Sequence, residues 1–516
     1  MNVVDLSQVG RANYEVYSNT ATRVILRSIT DTEHALGRVA WQLSGLEHRK
    51  QALLEEQKLL RDQLNRYKRA LAPYKKLPKD IIQYIFDFCV GEAVVRLPPC
   101  KAQVLPQVVL SHVCSAWRQV ALDTVELWNR VHLNASDPVH LNLAKHWLSR
   151  AGNSLITLVA DVHHYPHHDA AWVRALLSPY HFKTINLYIL THQIHHLSDI
   201  KNESVAHLET LHISLVDYGI CFPTPSLFTA NINPQFPQLR EFTICPSSKR
   251  NPVEVYVHSH DIPLPWHNLR TLSMIAVPMP PEQCLHALRQ TFQLKVCQLN
   301  VSEPHHTTTT TTTTEWAAPQ LDVILTHLES LELKFKHGEC FGNLINSIRT
   351  PKLHALSVDG NALAWSDGIC TALSERLNLP NLTLFKIGRT SRSIHIGRLL
   401  ANGPMLSDVD LPGTAIFDTD TITKVSACKL GGRLTRVVFR GERDVAAMLE
   451  MLNKRENNRR LPGNSSNGSK YKTRRHVSAL GYVEIWSGWR SVEIMDSCFG
   501  FMLSLAEKGV GVVLKP

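Results

Sequence analysis

The 516-residue sequence has no uncharged apolar run near the roughly 18 residues that a membrane-spanning helix needs. Its first residues lack the basic start and apolar centre of a secretory signal. Its eleven cysteines are scattered singly, without a Cys-x-x-Cys pair, and so support neither a disulfide framework nor a zinc ribbon. We therefore expect a soluble protein of the cytoplasm or nucleus, without membrane contact and with free, mostly buried thiols.

The usual sequence signatures of enzymes are also missing. There is no phosphate-binding P-loop, no Gly-x-Gly-x-x-Gly after a strand and no Gly-x-Ser-x-Gly elbow. The histidines cluster at 163–168 and 192–196, but neither cluster has a glutamate at the His-Glu-x-x-His spacing of a catalytic zinc site, and Pro166 indicates a loop. We therefore predict no enzyme, no metal site and no cofactor.

Charge and composition indicate a folded, basic chain. Apolar residues make up 44% and charged residues 19%, and 55 Lys and Arg against 45 Asp and Glu give a net charge of +10. The basic excess is concentrated in residues 454–475, which also contain Pro462 and Gly463. Composition predicts a flexible insertion there: a plain solvated loop, or a nuclear-import or phosphate-contacting patch. The threonine run 307–314 predicts another flexible insertion.

Residues 1–32 show no sustained period, whereas 33–73 carry a heptad pattern that predicts a coiled-coil helix. Two seam positions, Lys50 and Gln57, are polar, and Pro73 ends the pattern. Such a seam predicts a homodimer through residues 36–71, or docking onto the protein's own body. The seam positions are Leu36, Val39, Leu43, Leu46, Lys50, Leu53, Gln57, Leu60, Leu64, Tyr67 and Leu71.

A short helical block follows at 74–132. Leu77-Pro78-Lys79-Asp80 opens a helix whose apolar residues recur every three or four positions, and after a proline-containing connection a second apolar region runs to Leu127 and Trp128. A unit this small cannot bury all its large apolar side chains alone. The rest of the chain or another protein must therefore cover some of them.

This order of residues resembles the F-box, and in particular the F-box-like domains of fungal proteins in which a heptad helix directly precedes the motif. The resemblance implies a three-helix fold that binds the Skp adaptor of SCF-type cullin–RING ubiquitin ligases. It implies that a first set of residues, at the first helix, contacts the adaptor. A second set, later in the chain, either completes this contact or forms the small core beneath it. The first set is Leu77, Pro78, Ile81, Ile82 and Phe86, and the second is Val113, Cys114 and Trp117.

From residue 155 onward, rows recur in which an apolar residue is followed by apolar residues three and five positions later. Eleven rows lie 24 to 34 residues apart, a spacing typical of leucine-rich repeats, with short helical stretches between them. We predict a parallel-stranded α/β solenoid over 133–453, with a strand and a helix capping it over 476–516. It resembles the degenerate leucine-rich repeats found after fungal F-boxes, and an irregular α/β stack is the alternative. The rows begin at Leu155, Phe182, Leu208, Leu239, Leu269, Leu294, Leu328, Leu353, Leu382, Leu406 and Leu434.

In each row the second and third apolar residues are two positions apart and point to the same, inward side of the predicted sheet. The residue between them faces the opposite, concave side. Their mixed chemistry indicates no single target class. Candidate target-binding residues are His212, Thr243, Ser273, Glu332, Ser357, Lys386 and Asp410.

Together these patterns predict an α/β protein with a long N-terminal helix, a small three-helix F-box-like domain and a leucine-rich-repeat-like solenoid. The implied function is that of a substrate receptor, which binds the Skp adaptor through the F-box and an unknown protein target through the repeats. The alternative is a basic scaffold or nucleic-acid-binding protein that retains the F-box as a structural cap, although nucleic acid is the less favoured partner.

Overall fold

The computed structural model describes most of the chain in two compact units, Met1–Tyr84 and Ile85–Pro516. The second is called the main unit below. The described residues are 18–71, 73–99, 104–134, 137–162, 172–216, 236–247, 264–302, 322–441, 445–460, 477–486 and 492–515.

A single long helix, α1 (Asn19–Ala70), dominates the described part of the N-terminal unit. The Ser18 side chain caps its start by accepting a hydrogen bond from the Ala21 N–H, and Lys68 and Arg69 suit the negative end of its dipole. The helix begins at Asn19, well before the predicted residue 33. None of its residues is buried.

Helix α2 (Lys79–Val90) follows a short 3-10 helix at Pro73–Lys76. The remaining helices all belong to the main unit. They are α3 (Pro106–Val113), α4 (Ser115–Asp123), α5 (Pro138–Leu148), α6 (Asn202–Val205), α7 (Pro281–Gln290), α8 (Phe341–Ser347), α9 (Asp367–Arg376), α10 (Ile396–Asn402), α11 (Thr419–Ser426), α12 (Val445–Arg460) and α13 (Val492–Glu507).

Nineteen strands are found in the described main unit. They are β1 (Val95–Leu97), β2 (Arg130–Asn134), β3 (Ile156–Asp161), β4 (Phe182–Leu190), β5 (Thr210–Val216), β6 (Glu241–Pro246), β7 (Thr271–Met279), β8 (Val296–Val301), β9 (Val323–Ile324), β10 (Ser330–Phe335), β11 (Ile348–Arg349), β12 (Ala355–Gly360), β13 (Leu384–Ile387), β14 (Ile394–His395), β15 (Asp408–Pro412), β16 (Ala415–Ile416), β17 (Arg436–Arg440), β18 (Tyr482–Trp486) and β19 (Gly511–Lys515).

Fifteen of these strands form one parallel sheet in which each strand pairs with the next of the set along the chain. The order is β1-β2-β3-β4-β5-β6-β7-β8-β10-β12-β13-β15-β17-β18-β19, and β9 with β11 and β14 with β16 form two small parallel sheets beside it. Most crossovers carry a helix or a helical turn, as parallel pairing requires. The main unit is thus the predicted parallel α/β assembly, and its architecture is consistent with a solenoid.

The apolar rows of the sequence meet in register across this sheet. Leu211 pairs with Phe242, which pairs with Leu272, and two positions further on Ile213 pairs with Ile244. All five side chains are buried. The sheet therefore presents continuous apolar columns to one face, because parallel strands in the same register align equivalent residues.

Helices cover that apolar face near the C-terminal end of the sheet. Side chains of α10, α11 and α12 line one small apolar cavity together with inward residues of β15 and β17. The lining includes Leu399, Val425 and Met448 from the helices and Val409, Leu411 and Val437 from the strands. Helices α10, α11 and α12 therefore share their apolar core with the sheet.

The prediction of a flexible basic insertion over 454–475 is wrong for its first seven residues. Residues 454–460 form the last turns of α12, and residues 461–476 lie outside the described part. Arg455 and Glu456 are 0% and 1% exposed, and a 2.6 Å ion pair joins Arg455 Nη1 to Glu456 Oε1. Basic composition suggested solvent exposure, whereas this arginine is buried because backbone carbonyls surround it.

Candidate functional site

One face of α2 carries exposed apolar side chains. Ile81, Tyr84 and Phe88 follow one another at spacings of three and four residues, and they are 44%, 73% and 83% exposed. Leu77, which precedes the helix, is 36% exposed, and Pro78 is exposed as well. Residues three or four positions apart share a helical face, so α2 presents a continuous apolar stripe to solvent.

The opposite face of α2 is buried, which corrects two predicted adaptor contacts. Ile82 is 7% exposed and Phe86 is fully buried, with its ring packed edge-to-face on Trp117 at a centroid distance of 5.0 Å. These two side chains therefore belong to the core. Ile81 and Ile82 are adjacent in sequence, but neighbouring helical residues point about 100° apart.

Helices α3 and α4 meet at Cys114, whose Sγ accepts a hydrogen bond from the Trp117 N–H at 3.4 Å and caps α4. Val113 is 48% exposed, whereas Cys114 and Trp117 are half-buried. Of the second predicted set, only Val113 is exposed. Trp117 lies in the small core beneath.

Residues 74–134 expose more large apolar side chains for their length than the described part that follows them, although α1 exposes still more. Between residues 74 and 134, nine large apolar side chains are exposed, and the much longer described part from 137 to 515 exposes only nine more. An apolar surface of this density is typical of a protein-binding site. The nine are Leu77, Ile81, Tyr84, Phe88, Val94, Val104, Val109, Val113 and Leu122.

The same region is built into the large sheet of the main unit. Strand β1, which lies in the predicted connection 90–107, pairs with β2, and β2 pairs with β3. Trp128 is 1% exposed, donates through Nε1 to the Ala121 carbonyl and packs on Trp147 of α5 at 4.9 Å. The predicted boundary at residue 132 falls inside β2, so packing continues across it.

The seven predicted target-binding residues do lie in one row across the sheet. His212 pairs with Thr243, and the row continues strand by strand to Asp410. Thr243, Glu332, Ser357 and Lys386 are half-buried, as is His212. The row crosses β5 to β15, and Gln298 of β8 is a member that the sequence analysis did not select.

Two residues of this row are too buried to contact a target directly. Ser273 is 4% exposed and donates to Gln298 Oε1 at 2.7 Å, and Gln298 donates to Glu332 at 2.9 Å. Asp410 is 6% exposed and accepts two 2.8 Å hydrogen bonds from Arg440. Strands lie about 4.8 Å apart, so long side chains on one strand cover short ones on the next.

His212 has a different environment from the other members of the row. Its Nε2 lies 3.0 Å from Ser214 Oγ and 3.6 Å from Cys245 Sγ. Partial burial lowers the pKa of His212 from its ordinary value, because desolvation disfavours the imidazolium ion. The neutral imidazole is therefore the dominant form at neutral pH.

An ordered polar and aromatic cluster lies on β17, β18 and β19. Glu484 is 5% exposed and accepts hydrogen bonds from Tyr482, Trp486 and Lys515 at 3.0, 2.8 and 2.6 Å. The Arg440 guanidinium lies 5.0 Å from the centroid of the Trp486 ring. Arg440 and Lys515 could not be assigned to this cluster from the sequence, because only the fold brings β17 and β19 next to β18.

No group of three or more metal-ligating side chains converges among the residues that the structure describes. The 163–168 histidine cluster lies outside them, and His196 of the second cluster is buried. The described cysteines form no disulfide with one another. Burial raises the pKa of the Cys297 thiol to about 12, so its reactive thiolate form is disfavoured. Within the same residues, no helix is both long and apolar enough to cross a bilayer.

Comparison with known proteins gives a match for the region with the exposed α2 face and the Phe86–Trp117 core. The family model described as F-box-like matches residues 74–134. No curated protein matches the chain. The chain therefore carries an F-box-like domain at residues 74–134.

Proposed function

We propose that the protein is a substrate-receptor subunit of an SCF-type cullin–RING ubiquitin ligase, in which the F-box-like domain binds the Skp adaptor. The observation that carries this proposal is the exposed apolar stripe of α2 within the matched domain. Such a stripe loses contact with water when a partner covers it, and burial of apolar surface is the main driving force of association. Ile81, Tyr84 and Phe88 are the proposed anchors. Leu77 and Val113, which are exposed members of the predicted adaptor-contact sets, are proposed as further contacts.

The sheet of the main unit is the proposed target-binding part. Its row from His212 to Asp410 offers partly exposed polar side chains, and the cluster around Trp486 adds Tyr, Trp and Arg, the residue types that dominate binding hot spots. The receptor itself performs no chemistry in this proposal. It raises the local concentration of a target lysine near the ubiquitin-charged enzyme.

Self-association through residues 36–71 is the third part of the proposal. Leu43, Leu46 and Leu53 of the seam are 58%, 65% and 58% exposed, so the helix carries an exposed apolar stripe. A coiled coil with a second copy would bury it. Two receptors held together would bind a multivalent target more tightly than one.

Binding of purified Skp adaptor to the full-length chain tests the central proposal. We expect Ile81→Asp and Phe88→Asp each to weaken binding at least about tenfold, since anchor residues contribute about 2 kcal/mol or more. Phe292→Asp is the matched control, because Phe292 is 55% exposed but lies far along the chain, before β8. Absence of binding by the unaltered protein, or equal loss in all three variants, would contradict the proposal.

The alternative of a basic nucleic-acid-binding scaffold has less support from the described residues. Within the basic segment, Arg455 is buried and Arg459 pairs with Glu456 at 2.8 Å, so neither is free to contact phosphate. Salt-dependent retention on nucleic acid that disappears when residues 461–475 are deleted would favour this function instead. Both functions are compatible with a location in the cytoplasm or nucleus.

A further inference from the structure

The apolar stripe of α1 is regular enough to predict how two copies pair. With Leu36 at heptad position a and Val39 at position d, the pattern extends upstream to Ile29 at a and Ile25 at d. The helix is 52 residues long, which corresponds to about 78 Å. Leu36 and Leu64 are 64% and 51% exposed, so the stripe faces solvent at both ends.

The polar seam residues oppose a parallel pairing. Lys50 and Gln57 both occupy position a, and in a parallel, in-register pair each residue faces its own counterpart. Lys50 would then face a second Lys50, with Arg49 at the adjacent g position on both helices. Four positive charges would meet in the middle of the seam, and like charges at this distance repel.

An antiparallel pairing removes this conflict, because each a residue then faces a d residue. When Thr32 of one copy lies opposite Leu71 of the other, Lys50 faces Leu53 of the second copy. In the same arrangement Gln57 faces Leu46. Each polar residue is then flanked by an apolar one, and no two seam lysines meet.

The charges beside the seam select the same arrangement. Antiparallel helices bring g positions together and e positions together, which places Arg49 beside Glu56 and Glu33 beside Lys68 of the second copy. By symmetry each pair forms twice. A shift by one heptad in one direction places Arg49 against Arg49, and a shift in the other direction places Glu56 against Glu56. The parallel pair offers one attractive set, Glu56 with Arg61.

We infer that α1 forms an antiparallel homodimer centred between residues 51 and 52, with residues 32–71 of two copies paired. This inference rests on the proposed self-association. The C-terminal ends of the paired segments, from which each chain continues into its F-box-like domain, then lie about 60 Å apart. Two adaptor-binding regions would therefore leave the rod at opposite ends.

A charge-swap cycle on the full-length protein tests the inference, with dimer dissociation measured by sedimentation equilibrium at low salt. Arg49→Glu and Glu56→Arg alone should each weaken the dimer about tenfold, because each replaces two attractive contacts by repulsive ones. The double variant should regain the affinity of the unaltered protein. Neither residue has a charged neighbour three or four positions away, so the swaps leave charge pairs within the helix unchanged.

Arg38→Glu is the matched control. Arg38 lies at position c, faces solvent in either orientation, and should leave the affinity unchanged. Strengthening by Arg49→Glu, or a double variant that stays as weak as Glu56→Arg, would show parallel pairing and overturn the inference. A monomer at all concentrations would overturn self-association itself, while adaptor binding by the same preparation would leave the receptor function standing.

Discussion

Arg455 joins three parts of the main unit through one side chain. Its Nη2 donates to carbonyl oxygens of Gly431, Leu434 and Ser478 at 3.3, 3.0 and 3.1 Å, which ties α12 to the segments before β17 and β18. Glu456 balances its charge and also accepts a hydrogen bond from the Leu480 N–H. Buried polar groups are stable only when they are paired in this way.

Removal of the Arg455 side chain should therefore be costly. We expect Arg455→Met to lower the free energy of unfolding by about 3–5 kcal/mol, because it leaves Glu456 buried with one cationic partner fewer and orphans several carbonyls. Urea unfolding at constant m-value measures the change. Lys454→Ala, which breaks only an exposed pair with Glu450, should cost no more than about 1 kcal/mol. Equal effects of the two variants would show that the buried network does not stabilise the fold.

Glu484 gives a pH-dependent contribution of known sign. The hydrogen bond from Lys515 holds the pKa of Glu484 below its ordinary value of 4.5. A carboxyl group whose pKa is lower in the folded state stabilises fully above its unfolded pKa, and this stabilisation is lost as the pH falls through the folded pKa. We expect the unaltered protein to have a higher urea midpoint of unfolding than Glu484→Gln at pH 7. This difference between the two midpoints should shrink below about pH 4.5.

An exposed glutamate supplies the control for this comparison. Glu339→Gln removes one carboxylate from the surface and reports the general effect of that lost charge. If the difference between the protein and Glu484→Gln stays constant from pH 7 to pH 3, the Lys515 hydrogen bond has no part in stability.

At the scale of elements, α2 has one buried face and one exposed face, and the exposed face is the proposed adaptor contact. Phe86 is buried against Trp117, whereas Phe88 is 83% exposed. We expect Phe86→Ala to lower the free energy of unfolding by about 3–5 kcal/mol. Phe88→Ala should change it by no more than about 0.5 kcal/mol.

For adaptor binding the order of the two variants should be reversed, with the larger loss in Phe88→Ala. Phe88→Ala should lose affinity for the Skp adaptor, while Phe86→Ala should keep its affinity at temperatures where it remains folded. Calorimetric titration of both variants below their unfolding transitions measures this. If Phe86→Ala loses more adaptor affinity than Phe88→Ala, the exposed face of α2 is not the adaptor contact.

The strands were predictable from the sequence and the faces of α2 were not, for a physical reason. A strand alternates with period two, so pairs such as Leu211 and Ile213 of β5 specify both the strand and its buried side. In α2, Ile81, Ile82, Ile85 and Phe86 are all apolar, and a helix that is apolar on several sides does not reveal which side another element covers. Only the packing on Trp117 decides it.

Arg455 was missed for a related reason. A buried arginine has the same letter as a solvated one, and its acceptors lie in segments 21 to 24 residues away along the chain. Gln298 satisfies the same rule as the seven candidates, since it lies between Cys297 and Leu299 of the row that begins at Leu294, but it was not selected. The row of seven target-binding candidates was predictable because it follows from the same period, but the covering of Ser273 and Asp410 depends on neighbouring strands.

At the scale of the whole molecule, the F-box-like domain is the first segment of a continuous sheet. β1 and β2 lie within residues 74–134, and the third strand of the sheet, β3, lies beyond them. Each strand of a solenoid is stabilised mainly by its nearest neighbours. We therefore expect the F-box-like domain to depend on the rest of the sheet for its stability, so that the proposed adaptor-binding and target-binding parts cannot be separated by a simple cut.

A truncation series tests this dependence. A fragment of residues 73–134, which lacks α1, should show no cooperative thermal unfolding, because β2 loses its partner β3 and Trp128 loses its contact with Trp147. A fragment of residues 73–216 restores α5 and the strands β3 to β5, and it should regain a cooperative transition. If the shorter fragment unfolds cooperatively and binds the adaptor as tightly as the full chain, the F-box-like domain is independent, and β1 and β2 pair with the sheet without needing it.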